Sequence, residues 1–450
     1  TDGTVNFTLC EADGTAYSDY TVSETEPEDT TKYWLCTGSD PHCLKKYSAA
    51  TKLWNTIPTT YVMISAAGIG KNLAEGDTVT VSGVLDSVGA DLNGEMLLQQ
   101  AADDAVVVVG FLDETASQTD AVTLERKAPK LDYVVECNNR LWGCSSEENE
   151  IYACKLGDPT NWFSYRGIAA DSYAVTVGSD GAFTGAATCM GYALFFKENT
   201  LHKLYGSKPS DFQLSSLRCR GVAKNAARSL CVLNETLYYL SPDGVMAWDG
   251  SLPTKVSGAL DAAKLANVQS AVGGALDGRY YLHISRESAR LLVYDTERAL
   301  WSEEDVCSYE MTSTGGQLYL WDGQALWAAD PSRETDWQST DGVEEKLNFE
   351  LVTGDIGLDG AEDRYLSRLT LRLDAACRSR VTVEVSYDGG PWENAAALTV
   401  EGPRRNCDLH LVPRRCASLR LRLWGYGQIT LRSLAKTFSG AKGNWMELEG

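Results

Sequence analysis

Hydrophobic and polar positions along this chain alternate in short runs. Each run ends on an aromatic, passes through a polar turn, and is answered by a second such run. One stretch of this kind, NRLWGCSSEENEIYACKLGDPTNW, covers residues 139–162. Others are ALFFKENTLHKLYGSKPSDF (193–212), TLYYLSPDGVMAWDG (236–250), RYYLHISRESARLLVYDTERALW (279–301) and QLYLWDGQALWAADPSRETDW (317–337). KYWLCTGSDPHCLKKYSAATKLW (32–54) has the same grammar. Period-two alternation places successive side chains on opposite faces of a strand. A unit of several short strands returning every ~35–50 residues is the sequence form of a radially repeated all-β fold. The repeat predicts a β-propeller of about six blades.

The grammar breaks twice. Between Met63 and Lys127 it becomes GIGKNLAEGDTVTVSGV, LNGEMLLQQ and AVVVVGFLD, β-runs cut by Glu75-Gly76-Asp77, Asn93-Gly94 and Asp113-Glu114. Asn-Gly between apolar runs is a hairpin signal. This stretch predicts a small β-barrel-like module inserted after the first blade. From Lys346 onward, strands such as YLSRLTLRLDA, RVTVEVSYDG and SLRLRLWGYG alternate strictly, with Leu369, Leu371, Leu373, Val381, Val383 and Val385 facing one core. Strands at roughly ten-residue spacing read as a β-sandwich. The expected organisation is therefore 1–62 (N-terminal strands and first blade), 63–127 (inserted module), 128–345 (remaining blades) and 346–450 (C-terminal β-sandwich). LPTKVSGALDAAKLANVQSAVGGA (252–275) is the one passage with helical character.

Composition sharpens this picture. The chain has 450 residues, 44% of them hydrophobic, so a packed core is available. No apolar run is long enough for a transmembrane helix, and no membrane partner is expected. The first residues lack a basic stretch followed by an apolar run, so no secretory signal is expected. The net charge of −22 argues against non-specific nucleic-acid binding through the overall field. Charge is uneven: residues 1–125 hold 20 acidic and 5 basic side chains, whereas 364–450 hold 8 acidic and 14 basic. Acidic and basic ends suit a subunit docking between different partners. The 13 cysteines are odd in number and irregularly spaced, which favours buried, reduced thiols over a disulfide framework.

Candidate chemistry is sparse. The four histidines, His42, His202, His283 and His410, stand alone, and Cys36, His42 and Cys43 lack a second close pair to complete a zinc site. Gly68-Ile69-Gly70-Lys71 lacks the spacing of a phosphate loop and reads as a turn. Carboxylate pairs such as Asp103-Asp104, Glu303-Glu304 and Glu344-Glu345 read as solvated loops rather than a glycosidase pair. Ser386 to Trp392 resembles the hairpin box of sialidase-like propellers, a fold element rather than a catalytic one. Asp243-Gly244, Asp249-Gly250, Asp277-Gly278 and Asp322-Gly323 read as hairpin connectors. Trp142, Trp162, Trp248, Trp301, Trp321, Trp327 and Trp337 are expected to pack between blades. No catalytic residue, cofactor or metal is expected. Arg404, Arg405, Arg414 and Arg415 flank a strand of the basic domain and are the candidate partner-docking residues.

The block NRLWGC…NEIYACKLGDPTNW, then GYALFFKENTLHKLYG, then NETLYYLSPDGVMAWDGSLPTKVS resembles virion β-propeller proteins of tailed bacteriophages, over about residues 32–340. GIGKNLAEGDTVTVSGV resembles small β-modules of phage tail and neck proteins. The resemblance implies a non-enzymatic packaged-DNA stabilisation or tail-hub protein. Such a protein is multimeric, continues or closes the DNA channel, and docks portal, adaptor, tail fibre or spike partners. It implies passage of DNA without sequence-specific binding, and a place in the virion after assembly in the host cytoplasm. The insert and the basic C-terminal sandwich depart from that pattern. The alternative is a glycan-binding or depolymerising propeller on a phage tail or bacterial surface.

Overall fold

The computed structural model describes residues 3–286, 289–304, 310–329, 337–340, 343–346, 348–357, 365–412, 416–427 and 429–439. The chain is nearly all β and divides into two compact units, 1–328 and 329–450.

Six small sheets carry the six sequence units. Five have four strands, spanning 20–56, 133–176, 183–218, 231–255 and 270–304; the sixth, 310–328, has three. In the last five, neighbouring strands follow chain order and are antiparallel, the propeller-like meander that the alternation predicts. First strands pack on one another between the sheets 133–176 and 183–218, 231–255 and 270–304, and 270–304 and 310–328. Gly273, on the strand Ser270–Leu276, permits this closeness: a Cβ there would lie 2.5 Å from the carbonyl oxygen of Ser229 in the preceding sheet region. Leu194, Phe196, Leu237, Tyr239, Trp248, Tyr280 and Leu282 form one core running through three sheets.

The sheet 20–56 differs. Its strand Tyr20–Ser23 runs parallel to Tyr33–Cys36. Its Leu35 and Leu44 pack on Leu9, Ile57 and Phe111 of the neighbouring module. That module is a seven-stranded sheet whose members include Val5–Cys10 and Tyr61–Ser65, not only strands from within 63–127. The boundaries 1–62 and 63–127 therefore do not match the sheets: the sheet 20–56 is inserted in the module, rather than the module following a blade. The reason is the alternation of Val5, Phe7 and Leu9, fully or nearly buried, which pairs that strand with Tyr61–Ser65.

The helical passage is also corrected. Residues 262–265 form one 3₁₀ turn capped by the Asp261 carboxylate, which accepts from the Ala263 amide, and 270–276 is strand. A short Ala-rich stretch without a continuous buried face does not hold an α-helix by propensity alone.

In the C-terminal unit the strand Tyr365–Tyr387 shifts register near Leu373, Ala375 and Ser379. Its first half lies between Ile429–Ser439 and the end of Glu393–His410, its second half between Ser418–Tyr426 and the start of Glu393–His410. Leu369, Leu371 and Leu373 from one half meet Val381, Val383 and Val385 from the other in a single core, as their spacing predicts.

Candidate docking face

In an up-and-down sheet the chain reverses at every step, so the connections between third and fourth strands leave along one edge. In the four sheets from 133 to 304 an aspartate shapes each of these connections. Asp171 accepts the amides of Arg166 and Ile168 at 2.6 and 3.0 Å. Asp211 accepts those of Ser207 and Lys208 at 2.7 and 2.8 Å. Asp249 accepts the Ser251 hydroxyl at 2.7 Å and its amide at 3.3 Å. Asp295 accepts the Arg298 amide at 2.9 Å. Asp and Asn side chains fold turns in this way because their short carboxyl or amide reaches amides two or three residues on. These bonds favour the charged form. The Lys208 amide holds the Asp211 carboxyl below its ordinary value; the Ser251 hydroxyl does so for Asp249, and the Arg298 amide for Asp295.

Beside each aspartate stands a large exposed apolar side chain: Ile168, Tyr205, Leu252 and Leu300. Between the third and fourth of the six sheets a groove of about 310 Å³ opens, lined by Leu201, Lys203, Leu217, Trp248 and Leu252. The Lys203 ammonium lies 4.7 Å from the centroid of Tyr192. The edge is thus a row of apolar points among fixed carboxylates. Apolar patches rimmed by polar groups are what association surfaces present. Only Asp249 of these aspartates stood out in the sequence, through its Asp-Gly pair. Asp171, Asp211 and Asp295 carry no such pair, and their connections differ in length.

Of the predicted docking arginines the described residues include only the backbone of Arg404 and Arg405. Arg404 and Arg405 lie on the strand Glu393–His410, with Arg405 opposite Leu373. Arg414 and Arg415 lie outside the described residues.

The other motifs resolve into structural roles. The Gly68 amide donates to the Asp104 carboxylate at 2.7 Å and the Gly70 amide to the Asp103 carbonyl, so the glycine turn is occupied by the chain itself. Glu303 pairs with Lys264 and Arg290. The side chains of Glu344 and Glu345 lie outside the described residues. In the box-like hairpin, Asp388 accepts the amides of Ala417 and Ser418 at 2.8 and 2.9 Å, and the Ser386 hydroxyl donates to the Gly390 carbonyl. Trp142 packs edge-on to Phe212 of the next sheet, and Trp248 and Trp301 join the core shared by three sheets. Trp162 packs against Tyr152 and Leu141 of its own sheet. Trp321 and Trp327 differ from expectation: both are exposed among the described residues, and the Trp327 indole donates to Asp322. The Trp337 side chain lies outside the described residues. Cys137, Cys144, Cys154 and Cys189 are buried thiols outside any disulfide, and burial pushes each of them up. Among the described residues no group of three or more His, Cys, Asp or Glu is placed to hold a metal ion. No helix among them is long and apolar enough to cross a membrane.

His202 is fully buried and bonded through both ring nitrogens, to Ser179 and Ser216 at 2.8 Å each. The nearby Lys197 ammonium donates to Asn149 and to the Ser179 carbonyl. Burial, reinforced by Lys197, pushes His202 down from 6.5 to about 4. A depressed folded value means the contribution is fully present above pH 6.5 and is lost as pH falls towards 4. Urea midpoints measured across that window should fall by the equivalent of roughly 3 kcal/mol for this group. His202→Gln, which keeps hydrogen-bonding capacity without the titration, should flatten much of the slope; an unchanged slope would remove His202 as its source.

No protein-family model and no curated protein sequence matches the chain. Similar solved structures include an exo-beta-1,3-galactanase from Phanerochaete chrysosporium, at TM-score 0.24 and 11% identity, covering 68% of this chain and 95% of that one. BamB from Moraxella catarrhalis aligns at TM-score 0.28 and 13% identity, covering 71% and 90%. A Bacillus thuringiensis Cry1Da tryptic core variant aligns at 0.19 and 9%, covering 58% and 51%. Likeness of this degree transfers no activity, ligand or partner. The sheets themselves define the class: an all-β protein of propeller-like construction, with a seven-stranded module and a second compact unit built on a six-stranded sheet.

Proposed function

We propose that this chain is a non-enzymatic structural subunit of a tailed-phage virion. In this reading it is a multimeric neck or tail ring, or hub, that continues or closes the DNA channel and docks tail or fibre partners. The observation that carries the reading is the repeated edge of Ile168, Tyr205, Leu252 and Leu300 on aspartate-held turns, a surface built by the repeat itself and suited to assembly. The sequence resemblance points the same way. Closure of the sheets into a complete propeller would make this edge one face of a disc. A ring of subunits with net charge −22 would repel DNA phosphates and let the duplex slide without adhering. The basic C-terminal segment, with Arg404, Arg405, Arg414 and Arg415, would face an acidic neighbour.

The test is light scattering and negative-stain microscopy of the full chain, with mass spectrometry of purified phage particles. A ring that dissociates in the Leu252→Asp, Leu300→Asp double variant while its circular dichroism is retained is the expected result. A monomer at every concentration, absent from the particles, would overturn the reading.

A further inference from the structure

The outer face of the C-terminal sheet carries chemistry that neither the core nor the proposed assembly uses. On the strand Ser418–Tyr426, Leu419, Leu421 and Leu423 enter the core, so Arg420, Arg422, Trp424 and Tyr426 lie on the opposite face. Directly opposed residues share a face. Register therefore adds Asn348 and Glu350 from one neighbouring strand, and Arg380 and Glu384 from the other.

The centre of this face is fixed. The Arg422 guanidinium donates through Nε to Glu350 at 2.6 Å and through Nη1 to Glu384 at 3.4 Å. Beside it Trp424 is 42% exposed, large for an indole on a sheet. A cavity of about 420 Å³ is lined by Asn348, Glu350, Arg422, Trp424 and Tyr426. Towards one end Arg380 stands opposite Tyr426. Towards the other the Arg420 guanidinium lies 5.7 Å from the centroid of Trp392. Neither Arg380 nor Arg420 makes an ion pair among the described residues. From Arg420 to Tyr426 the strand runs roughly 20 Å at about 3.3 Å per residue.

We propose that this face binds an acidic polysaccharide, one bearing carboxylates on its sugar rings, laid along Ser418–Tyr426. Trp424 offers a flat apolar surface for the faces of sugar rings, and Asn348 and the anchored Glu350 and Arg422 offer fixed acceptors and donors for hydroxyls. Arg420 and Arg380, each beside an aromatic, receive carboxylates at the two ends. Charge complementarity selects an anionic chain over a neutral one: residues 364–450 hold 14 basic and 8 acidic side chains. The inference stands apart from the virion reading, since neither depends on the other.

The experiment is affinity electrophoresis of the full chain through gels containing polygalacturonate, alginate or hyaluronan, against fully methyl-esterified pectin and dextran sulfate. Retardation by at least one of the three uronate polymers is expected. Trp424→Ala and Arg420→Ala should each weaken it about tenfold, Trp424→Phe should restore most of it, and esterified pectin should retard far less. Unchanged circular dichroism of the variants separates loss of binding from loss of fold. Absence of retardation by all three uronate polymers overturns the proposal. So does binding that Trp424→Ala leaves intact, or binding to dextran sulfate that matches the uronates, since these would indicate charge alone.

Discussion

Asp77→Ala should destabilise the N-terminal unit by about 3–5 kcal/mol, the cost typical of removing one member of a buried, hydrogen-bonded charge pair. Asp77 has no exposed surface. Its carboxylate accepts Arg126 Nε and Nη2 at 3.0 and 2.7 Å, the Asn161 amide group at 2.5 Å and the Ala74 backbone amide at 2.9 Å. Arg126 reaches on to Thr160 and to the Asn72 carbonyl. These bonds join the seven-stranded module to the loop 155–172 of the sheet 133–176. Arg166, paired with Glu75, and Thr78, donating to the Phe163 carbonyl, cross the same junction. Alanine leaves the Asn161 amide buried without its acceptor and takes the buried carboxylate from the Arg126 guanidinium, which keeps only the partly exposed Asp158 at 3.2 Å as its ion-pair partner; this is where the cost arises. Guanidinium denaturation followed by tryptophan fluorescence measures it. Asp77→Leu combined with Arg126→Met should recover more than half of the loss, because no charge is then left buried: Asp158, which loses Arg126, is partly exposed to water. A midpoint unmoved by Asp77→Ala would show that the junction does not hold the unit together.

The second large effect is expected at Arg140. This arginine is 3% exposed, and instead of a carboxylate it meets main-chain carbonyls. Nη1 donates to Cys154 at 2.7 Å and Asp171 at 2.6 Å, and Nη2 to Ala169 at 2.9 Å. The guanidinium also lies 5.6 Å from the Phe212 ring centroid, in the next sheet. Each carbonyl abandoned in a buried place costs on the order of 1–3 kcal/mol, less where water can enter. Arg140→Met should therefore cost about 3 kcal/mol and raise hydrogen exchange selectively across 155–172. Arg140→Lys should recover only part, since an ammonium cannot span carbonyls that a planar fork reaches together. The effect should extend to the docking edge, because the residue whose carbonyl Arg140 holds, Asp171, shapes the turn that presents Ile168. Exchange in 155–172 equal to that of the unaltered protein would refute this account.

Both residues were invisible to sequence reading for one reason. Asp77 sits in Glu75-Gly76-Asp77, which reads as a solvated turn, and Arg140 opens a strand where an arginine normally points to water. Burial of a charge is settled by what folds over it, and the covering loop 155–172 lies about 80 residues from Asp77. The docking edge was half legible: Tyr205 and Leu300, at strand ends, were part of the repeat, whereas Ile168 and Leu252 lie in loops outside it and Asp171, Asp211 and Asp295 looked like ordinary acids. The face around Trp424 was likewise missed, because alternation tells two faces apart without saying which neighbouring strands complete either.

The sequence by itself determined the strands, their period and their buried sides. Leu369, Leu371, Leu373, Val381, Val383 and Val385 face one core as their spacing requires, and the first five of the six repeats each lie within one small sheet. These are local properties, fixed by period two and by turn residues within a few positions. Only the tertiary structure decided which strands pair across distance. It placed Val5–Cys10 and Tyr61–Ser65 in one sheet around the inserted strands 20–56. It also gave the two halves of Tyr365–Tyr387 different neighbours and buried Asp77 and Arg140. Alternating strands are nearly interchangeable as partners, and the choice among them rests on register, shape and the entropy of the loops that must close.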